Sequence, residues 1–408
     1  MTHALGLAVV LLAAHYGYWL LRWRRGFARA VRAWEALGDA PRPLVSVIVP
    51  ARNEEAWIER CVRSVLACDY PADRFEVIVA DDDSSDATSE VVEAVMREVN
   101  AARTRRPALI GAPALPPDDA PDEAPARLRL VRVPENRGAD RAHKKRAIEK
   151  AIAHATGDII LTTDADCTVA RGWIRAMTRY FADSRVAFVS GPVRYTSEPS
   201  AMLRLQALDF LGLMVCGGGG IAIGRPHLAN GASVAYRRST FERLDGFSGI
   251  DGVSSGDDEL LMQKMAYGEL GPESVRFVPS PDAVVVTEPV RTLREFLHQR
   301  RRWASKGSYY PLRLKAMLLG MLGLTLGQVA LPIAALWAPG LWPWVAASYG
   351  IVAAAELAVL LPATRHFGQR HLMALYPLYL LLHSPQTLLA GVTGLMGRFE
   401  WKDRRLRH

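Results

Sequence analysis

Residues 75–86 read FEVIVADDDSSD, a β-branched apolar run that ends on four carboxylates within six positions. Carboxylates this close repel one another, so a turn that gathers them after a buried strand is either a cap and turn or a site. The preceding run, residues 44–49 (LVSVIV), reads as a strand ended by Pro50, with a helix beginning near Glu54. Residues 128–133 give a third strand and residues 158–162 (DIILT) a fourth, which again runs into acids. Strands alternating with helical stretches predict a mainly parallel α/β sheet. Ligands of such sheets bind beyond the carboxyl ends of the strands, so the recurring acids locate a site.

The ends of the chain are apolar. Residues 4–21 (ALGLAVVLLAAHYGYWLL) carry no charged side chain and, at about 1.5 Å per residue, can cross a hydrocarbon core of roughly 30 Å. Arg22, Arg24, Arg25, Arg29 and Arg32 follow this stretch, the reverse of a cleaved signal peptide, so a retained anchor over 1–25 is expected. The positive-inside rule then places the next region in the cytoplasm. Residues 316–337 and 341–361 lack Lys and Arg and are separated by the turn at Pro339 and Gly340. They predict a helical hairpin with both ends cytoplasmic. Residues 372–397 are interrupted by Pro377, His383, Pro385 and Gln386. A full crossing there would put Arg398, Lys402, Arg404, Arg405 and Arg407 outside, so a re-entrant or interfacial hairpin bent near Pro385 is expected. The predicted organisation is an anchor (1–25), a cytoplasmic domain (42–310) with a flexible insertion at 103–127, a membrane region (315–397) and a basic tail (398–408).

The formal charge of +8 over 408 residues suits a surface held against anionic lipid headgroups, because the arginines border apolar segments. Nucleic-acid binding fits poorly, with no aromatic-interleaved basic stripe and no zinc-ligand spacing. Cys61, Cys68, Cys167 and Cys216 form no CxxC pair and are expected to be reduced thiols. The dense Ala and Arg usage suggests a GC-rich bacterium, and hence an inner membrane.

Further constellations carry chemistry. Thr163-Asp164-Ala165-Asp166 places two carboxylates at i and i+2 on a strand end, where they can share a hard divalent ion such as Mg²⁺ with substrate phosphates. Gly256-Asp257-Asp258-Glu259 opens a helical stretch. Acids suit a helix N-terminus, so at least one of these reads as a cap, while another can accept a proton from an attacking hydroxyl. In Gln299-Arg300-Arg301-Arg302-Trp303, residues i, i+3 and i+4 share a helix face. That face offers an amide, a phosphate-binding fork and a flat ring for sugar stacking, although arginines also mark the border of a membrane helix.

In this order the motifs resemble the family 2 glycosyltransferases of GT-A type over nearly the whole chain. VSVIVPARNEE (45–55), His143-Lys144-Lys145-Arg146-Ala147 with Gly157-Asp158, Gly191-Pro192, the run 230–238 and Glu400-Trp401-Lys402-Asp403-Arg404 match as well. The resemblance implies an α/β, GT-A (Rossmann-like, mainly parallel) cytoplasmic domain with N-terminal and C-terminal transmembrane helices. It implies that Asp82 binds the nucleotide base, that Pro50, Arg52 and Glu54 line the nucleoside pocket, and that Lys144 approaches the donor phosphates. Asp164 would face the ribose or diphosphate, Asp166 the metal, Mg²⁺ or Mn²⁺, and Asp258 would be the catalytic base. Asp257, Gln299, Arg302 and Trp303 would shape the acceptor and diphosphate sites. The implied reaction is a single inverting displacement from a nucleotide-sugar, by default UDP-glucose, to a lipid hydroxyl. This sequence departs from the family pattern at Asp83, Asp257, Ser233 and Asp403, where Gly, Glu, Asn and Gly are usual. A processive polysaccharide synthase needs a larger helix bundle, and a transporter more spans still. A non-catalytic membrane scaffold has no need of the acids at 82, 164, 166 and 258. Residues 217–220, four glycines, read as a gating or acceptor-side loop, and His227 as structural. Glu356, an acid in an apolar helix, reads as either paired or functional.

Overall fold

Every residue of the second strand is buried, and in the first only Pro50 is half-exposed. Strands covered on both faces need no apolar/polar alternation, which is why these runs read as continuous hydrophobic segments. The computed structural model describes residues 2–38, 41–105, 126–134, 142–196, 198–253, 255–394, 398–401 and 404–407. In chain order the strands are β1 (Val45–Ala51), β2 (Phe75–Asp81), β3 (Arg127–Arg132), β4 (Ile159–Thr162), β5 (Thr168–Val169), β6 (Phe188–Ser190), β7 (Val193–Tyr195), β8 (Val234–Arg237), β9 (Val275–Phe277), β10 (Val285–Thr287), β11 (Arg398–Trp401) and β12 (Arg404–Arg407). The helices are α1 (Thr2–Glu35), α2 (Ile58–Leu66), α3 (Thr88–Arg105), α4 (His143–Ile152), α5 (Trp173–Thr178), α6 (Ala201–Ala222), α7 (Arg238–Arg243), α8 (Glu259–Tyr267), α9 (Leu293–Ala304), α10 (Leu312–Ala335), α11 (Trp342–His366) and α12 (Tyr376–Gly394).

The chain divides into two compact units. One comprises residues 33–193 and 229–288, the other residues 1–32, 194–228 and 289–408. The first holds a seven-stranded sheet of order β3-β2-β1-β4-β8-β6-β9. Strands β3, β2, β1 and β4 are parallel, and β8 runs antiparallel to β4 and β6. The register sets Ala51 opposite Asp81 and Ile48 opposite Thr162, so the acid-tipped ends share one edge. Pro50 does not end β1 as the sequence suggested. Pairing with β4 stops at Ile48, so the missing proline N–H costs no ladder bond on that side. Nor does a helix start near Glu54. Residues 52–57 form a turn before α2, in which the Glu54 and Glu55 amides donate to Thr88 Oγ1 (2.7 Å) and Asp86 Oδ2 (3.1 Å). Inside the sheet, buried Glu76 accepts from Ser46 Oγ at 2.8 Å and from the Thr156 amide and hydroxyl, each at 2.7 Å. Burial pushes its carboxyl up, but these bonds and Arg129 hold it below the ordinary range. The flexible insertion expected at 103–127 falls mostly outside the described residues.

The second unit is helical. Four helices are long and apolar enough to cross a membrane: His3–Glu35, Ala201–Ala222, Leu312–Ala335 and Pro339–His366. The predicted hairpin corresponds to α10 and α11. The sequence reading gave 201–222 no membrane role, and the glycines at 217–220 belong to α6 rather than to a loop. In water four glycines would break a helix. Here they let backbones touch: a Cβ on Gly219 would lie 2.1 Å from the Trp23 carbonyl oxygen, and one on Gly26 would lie 2.2 Å from that of Gly219. Small residues that allow such an approach are how apolar helices associate where no hydrophobic force separates protein from lipid. His227 stacks on Trp23 at 4.8 Å beside this contact. The expected hairpin at Pro385 does not form, since α12 continues through that residue, and neighbouring helices let an apolar helix tolerate an interior proline. In the tail, β11 pairs antiparallel with β12.

Candidate active site

The first acidic turn is largely self-satisfied. Asp81 accepts from the Ser84 amide (3.2 Å) and hydroxyl and from Ser89 Oγ (2.5 Å). Asp86 caps the start of α3, accepting from the Thr88 amide (3.0 Å) and hydroxyl (2.5 Å). These bonds hold the Asp86 carboxyl below its ordinary range against the upward push of desolvation. Asp83 takes a left-handed φ of 57°, which is why glycine suits that position. Asp82 is buried at 4% exposure, with one carboxylate oxygen 3.3 Å from Arg146. Arg52 donates to the Asp82 and Asp83 carbonyls at 2.5 and 2.8 Å, lacing the loops after β1 and β2 together. A cavity of ≈ 370 Å³ opens alongside, lined by Asp83, Asp86, Arg132 and their neighbours but not by Pro50, Arg52, Glu54 or Asp82.

The second and third acidic motifs meet. Lys144 Nζ lies 2.7 Å from Asp164 Oδ1 and 2.9 Å from Asp257 Oδ2. Burial pushes the Lys144 ammonium down, but the two carboxylates hold it above the ordinary range; burial likewise pushes Asp257 up and Lys144 holds it down. Both groups are therefore charged, and Asp257 is a poor proton acceptor. Asp258 accepts from the Gly231 amide (2.7 Å) and, as the cap of α8, from the Glu259 amide (2.6 Å). A Cβ on Gly231 would lie 3.2 Å from Asp257 Oδ2 and Lys144 Nζ and 3.4 Å from Asp258 Oδ2. Ser233 is fully buried and accepts from Trp173 Nε1 at 3.1 Å, so it serves the core rather than this edge.

One helical turn reads all three motifs. In α4, Arg146 faces Asp82, Lys144 bridges Asp164 and Asp257, and Lys145 donates to the loop that carries Asp257. Three cations in a first turn oppose the helix dipole, and that opposition is the sequence signal by which Lys145 and Arg146 could have been found. Gly231 left no such signal.

Asp164, Asp166 and Cys167 place their ligand atoms within 4.8 Å of one another. Burial, reinforced by the two acids, pushes the Cys167 thiol up. The effective donors are thus two carboxylates, which fit a hard Mg²⁺ or Mn²⁺.

Gln299, Arg302 and Trp303 lie on α9, in the helical unit. The Trp303 ring is already engaged, with Phe210 6.2 Å away and the Arg300 guanidinium 4.5 Å from its centre. Arg300 is anchored by Asp209 at 2.5 Å. Gln299 Oε1 is buried without a hydrogen bond among the described residues. In the same unit Glu356 is paired: Tyr16, Tyr376 and His383 Nδ1 each reach it at 3.1 Å.

Acid-tipped parallel strands with a cation held between two acidic motifs make this sheet edge the candidate active site. The Glycosyl transferase family 2 model matches residues 46–109 and the Glycosyl transferase family group 2 model matches 159–384. The chain belongs to the family 2 glycosyltransferases. It is 28% identical over 325 residues to a beta-monoglucosyldiacylglycerol synthase of Synechocystis, covering 73% of this chain and 58% of that protein. It is 25% identical over 301 residues to a probable glycosyltransferase of Bacillus subtilis, covering 71% and 61%. The chain thus spans about three-fifths of these curated relatives. Among solved structures it is similar to a mannosyltransferase of Pyrobaculum calidifontis in complex with GDP-Man and Mn²⁺, with 26% identity, a TM-score of 0.56, and coverage of 97% of this chain and 99% of that one.

Proposed function

We propose that this glycosyltransferase is an inverting, metal-dependent hexosyltransferase that moves a sugar from a nucleotide-diphospho-sugar to a hydroxyl of a membrane lipid. The observation that carries the reading is the convergence of Lys144, Asp164, Asp257, Asp258 and Gly231 on one sheet edge. Asp258 is the base. Its neighbour Asp257 is committed to Lys144, whereas Asp258 is fixed by backbone amides that orient it without neutralising it, and it takes the proton of the attacking hydroxyl. Asp164 and Asp166 would hold the divalent ion, which would neutralise charge on the leaving diphosphate. Lys144 turns from the acids to the donor phosphates, and Asp82 with Pro50, Arg52 and Glu54 accommodates the nucleoside. Gln299, Arg302 and Trp303 contribute to acceptor and diphosphate binding, and the unsatisfied Gln299 oxygen supports a ligand role there. UDP-glucose is the proposed donor, in keeping with the glucosyl-lipid synthase relative; the GDP-Man complex of the structural neighbour makes GDP-mannose the alternative to test. The apolar helices hold the chain in a bacterial inner membrane with the site on the cytoplasmic side, where the arginines after residue 21 would leave it.

The test is nucleotide-diphosphate release by purified, detergent-solubilised protein, given a panel of sugar nucleotides, Mn²⁺ or Mg²⁺ and total membrane lipid. Turnover with one donor, abolished by chelator and in Asp258→Asn, is expected, with a lipid carrying one sugar as product. A long polymer would instead make the chain a processive synthase. Absence of turnover with every donor would leave only a scaffold.

A further inference from the structure

Lys145 is 1% exposed, among the largest fully buried side chains of the sheet unit. Enclosing an ammonium costs several kcal/mol unless its protons are matched. They are: Nζ donates to the carbonyls of Ile250 (2.5 Å), Val253 (2.9 Å) and Ser255 (2.9 Å). All three belong to the segment that ends at Asp257 and Asp258.

We propose that Lys145 is the positioning residue that sets this loop and thereby places the acid pair. The proposal rests on the assignment of Asp258 as base. Between α7 and α8 the described residues form turns and bends, and Asp245, Gly246, Gly249 and Gly256 take φ values of 55°, 50°, 80° and 81°. A glycine-rich segment of this kind loses much conformational freedom on ordering and needs explicit partners. Lys264 pins its first half, donating to the Gly246 and Ser248 carbonyls at 2.9 and 2.8 Å, while Glu149 accepts from the Phe247 amide at 3.1 Å. Lys145 pins the second half. Its neighbour Lys144 faces Asp164 and Asp257 from the same turn of α4, so one helix end fixes the acid motif from both its carboxylate side and its loop side. A neutral side chain of the same length cannot supply three donors, and it would leave buried carbonyls unpaired.

The test compares Lys145→Met and Lys145→Arg with the wild type, as full-length protein in detergent. In Lys145→Met, amides of residues 246–258 are expected to exchange at least tenfold faster while those of β1, β2 and β4 keep their protection. Because misplacement of a catalytic group by an ångström costs on the order of 10²-fold, kcat should fall about 100-fold with donor KM within about threefold of wild type. Lys145→Arg, which still donates, should recover part of both effects. Unchanged exchange in the loop would overturn the proposal, as would a mobilised loop with kcat within threefold of wild type. Parallel loss of sheet protection and donor KM in both variants would reduce Lys145 to a structural residue. If the wild type itself turns over no donor, the base assignment fails, and exchange alone then decides whether Lys145 holds the loop.

Discussion

The sheet unit and the helical unit each contain a cluster of acids and cations, finished to different degrees. At the sheet edge, Asp164 keeps 37% of its side chain exposed while sharing Lys144 with Asp257. In the helical unit, Asp209 and Glu356 are 8% and 4% exposed and are surrounded by Arg300, His383 and three tyrosine hydroxyls. An acid among apolar helices invites a functional reading, but here its oxygens are occupied by partners from the same unit, which is the condition for a structural tie. At the sheet edge, Asp82 and Asp257 are nearly as closed as these, but Asp164 is held in place yet reachable by solvent, which is the condition for chemistry. Burial of charge alone does not mark a site; a residual opening does.

The sharpest way to break this contrast is Asp258→Asn, which should lower kcat by about 10³-fold with little loss of stability, given that a positioned base contributes roughly 10²–10⁴-fold. A variant retaining a third of the activity would exclude Asp258 as base. Asp166→Asn should cost about 10²-fold at fixed Mn²⁺, a few kcal/mol of charge stabilisation, and should shift half-saturation to higher Mn²⁺; an unchanged titration would remove Asp166 from the metal set. On the other side of the comparison, Glu356→Ala should destabilise the helical unit by about 2 kcal/mol, from three hydrogen bonds among apolar helices at roughly 0.6 kcal/mol each. Its kcat per folded molecule should be unchanged, and selective loss of turnover without thermal destabilisation would make Glu356 part of a site. Gly231→Ala should lower kcat about tenfold, because the new methyl crowds three charged side chains whose placement matters; full activity would show that the edge relaxes freely.

The smallest effect concerns pH. The folded Glu76 carboxyl titrates below its ordinary value, so its contribution is complete above the unfolded value of about 4.3 and disappears as pH falls through the folded one. The melting-temperature difference between wild type and Glu76→Gln should therefore correspond to about 1 kcal/mol at pH 7 and shrink below about pH 4. A difference that persists in acid would assign the effect to packing.

Local signals carried the strands, because buried parallel strands must be apolar throughout and their acidic ends interrupt that run abruptly. They also carried α1, α10 and α11, whose length and lack of charge are properties of composition. What they misjudged had a local appearance that tertiary contacts reversed. Pro50 looked like a strand end but lies where β1 has no β4 partner. The glycines at 217–220 looked like a loop and are helical because Gly219 meets the α1 backbone. Pro385 looked like the apex of a hairpin and sits within the continuous helix α12.

The acid motifs and the glycosyltransferase family could be read from the chain alone, since spacing at strand ends is a one-dimensional property. The resemblance also singled out Asp258 as the expected base, but the physical contrast between the two adjacent acids could not be read there. Asp257 and Asp258 are neighbours of the same type, and only the fold gives one a lysine and the other two backbone amides. Lys144 and Lys145 are likewise adjacent and identical in sequence, yet one meets carboxylates and the other carbonyls. Successive residues of a helix point about 100° apart, so what each one meets is set by chain segments that arrive from a hundred residues away.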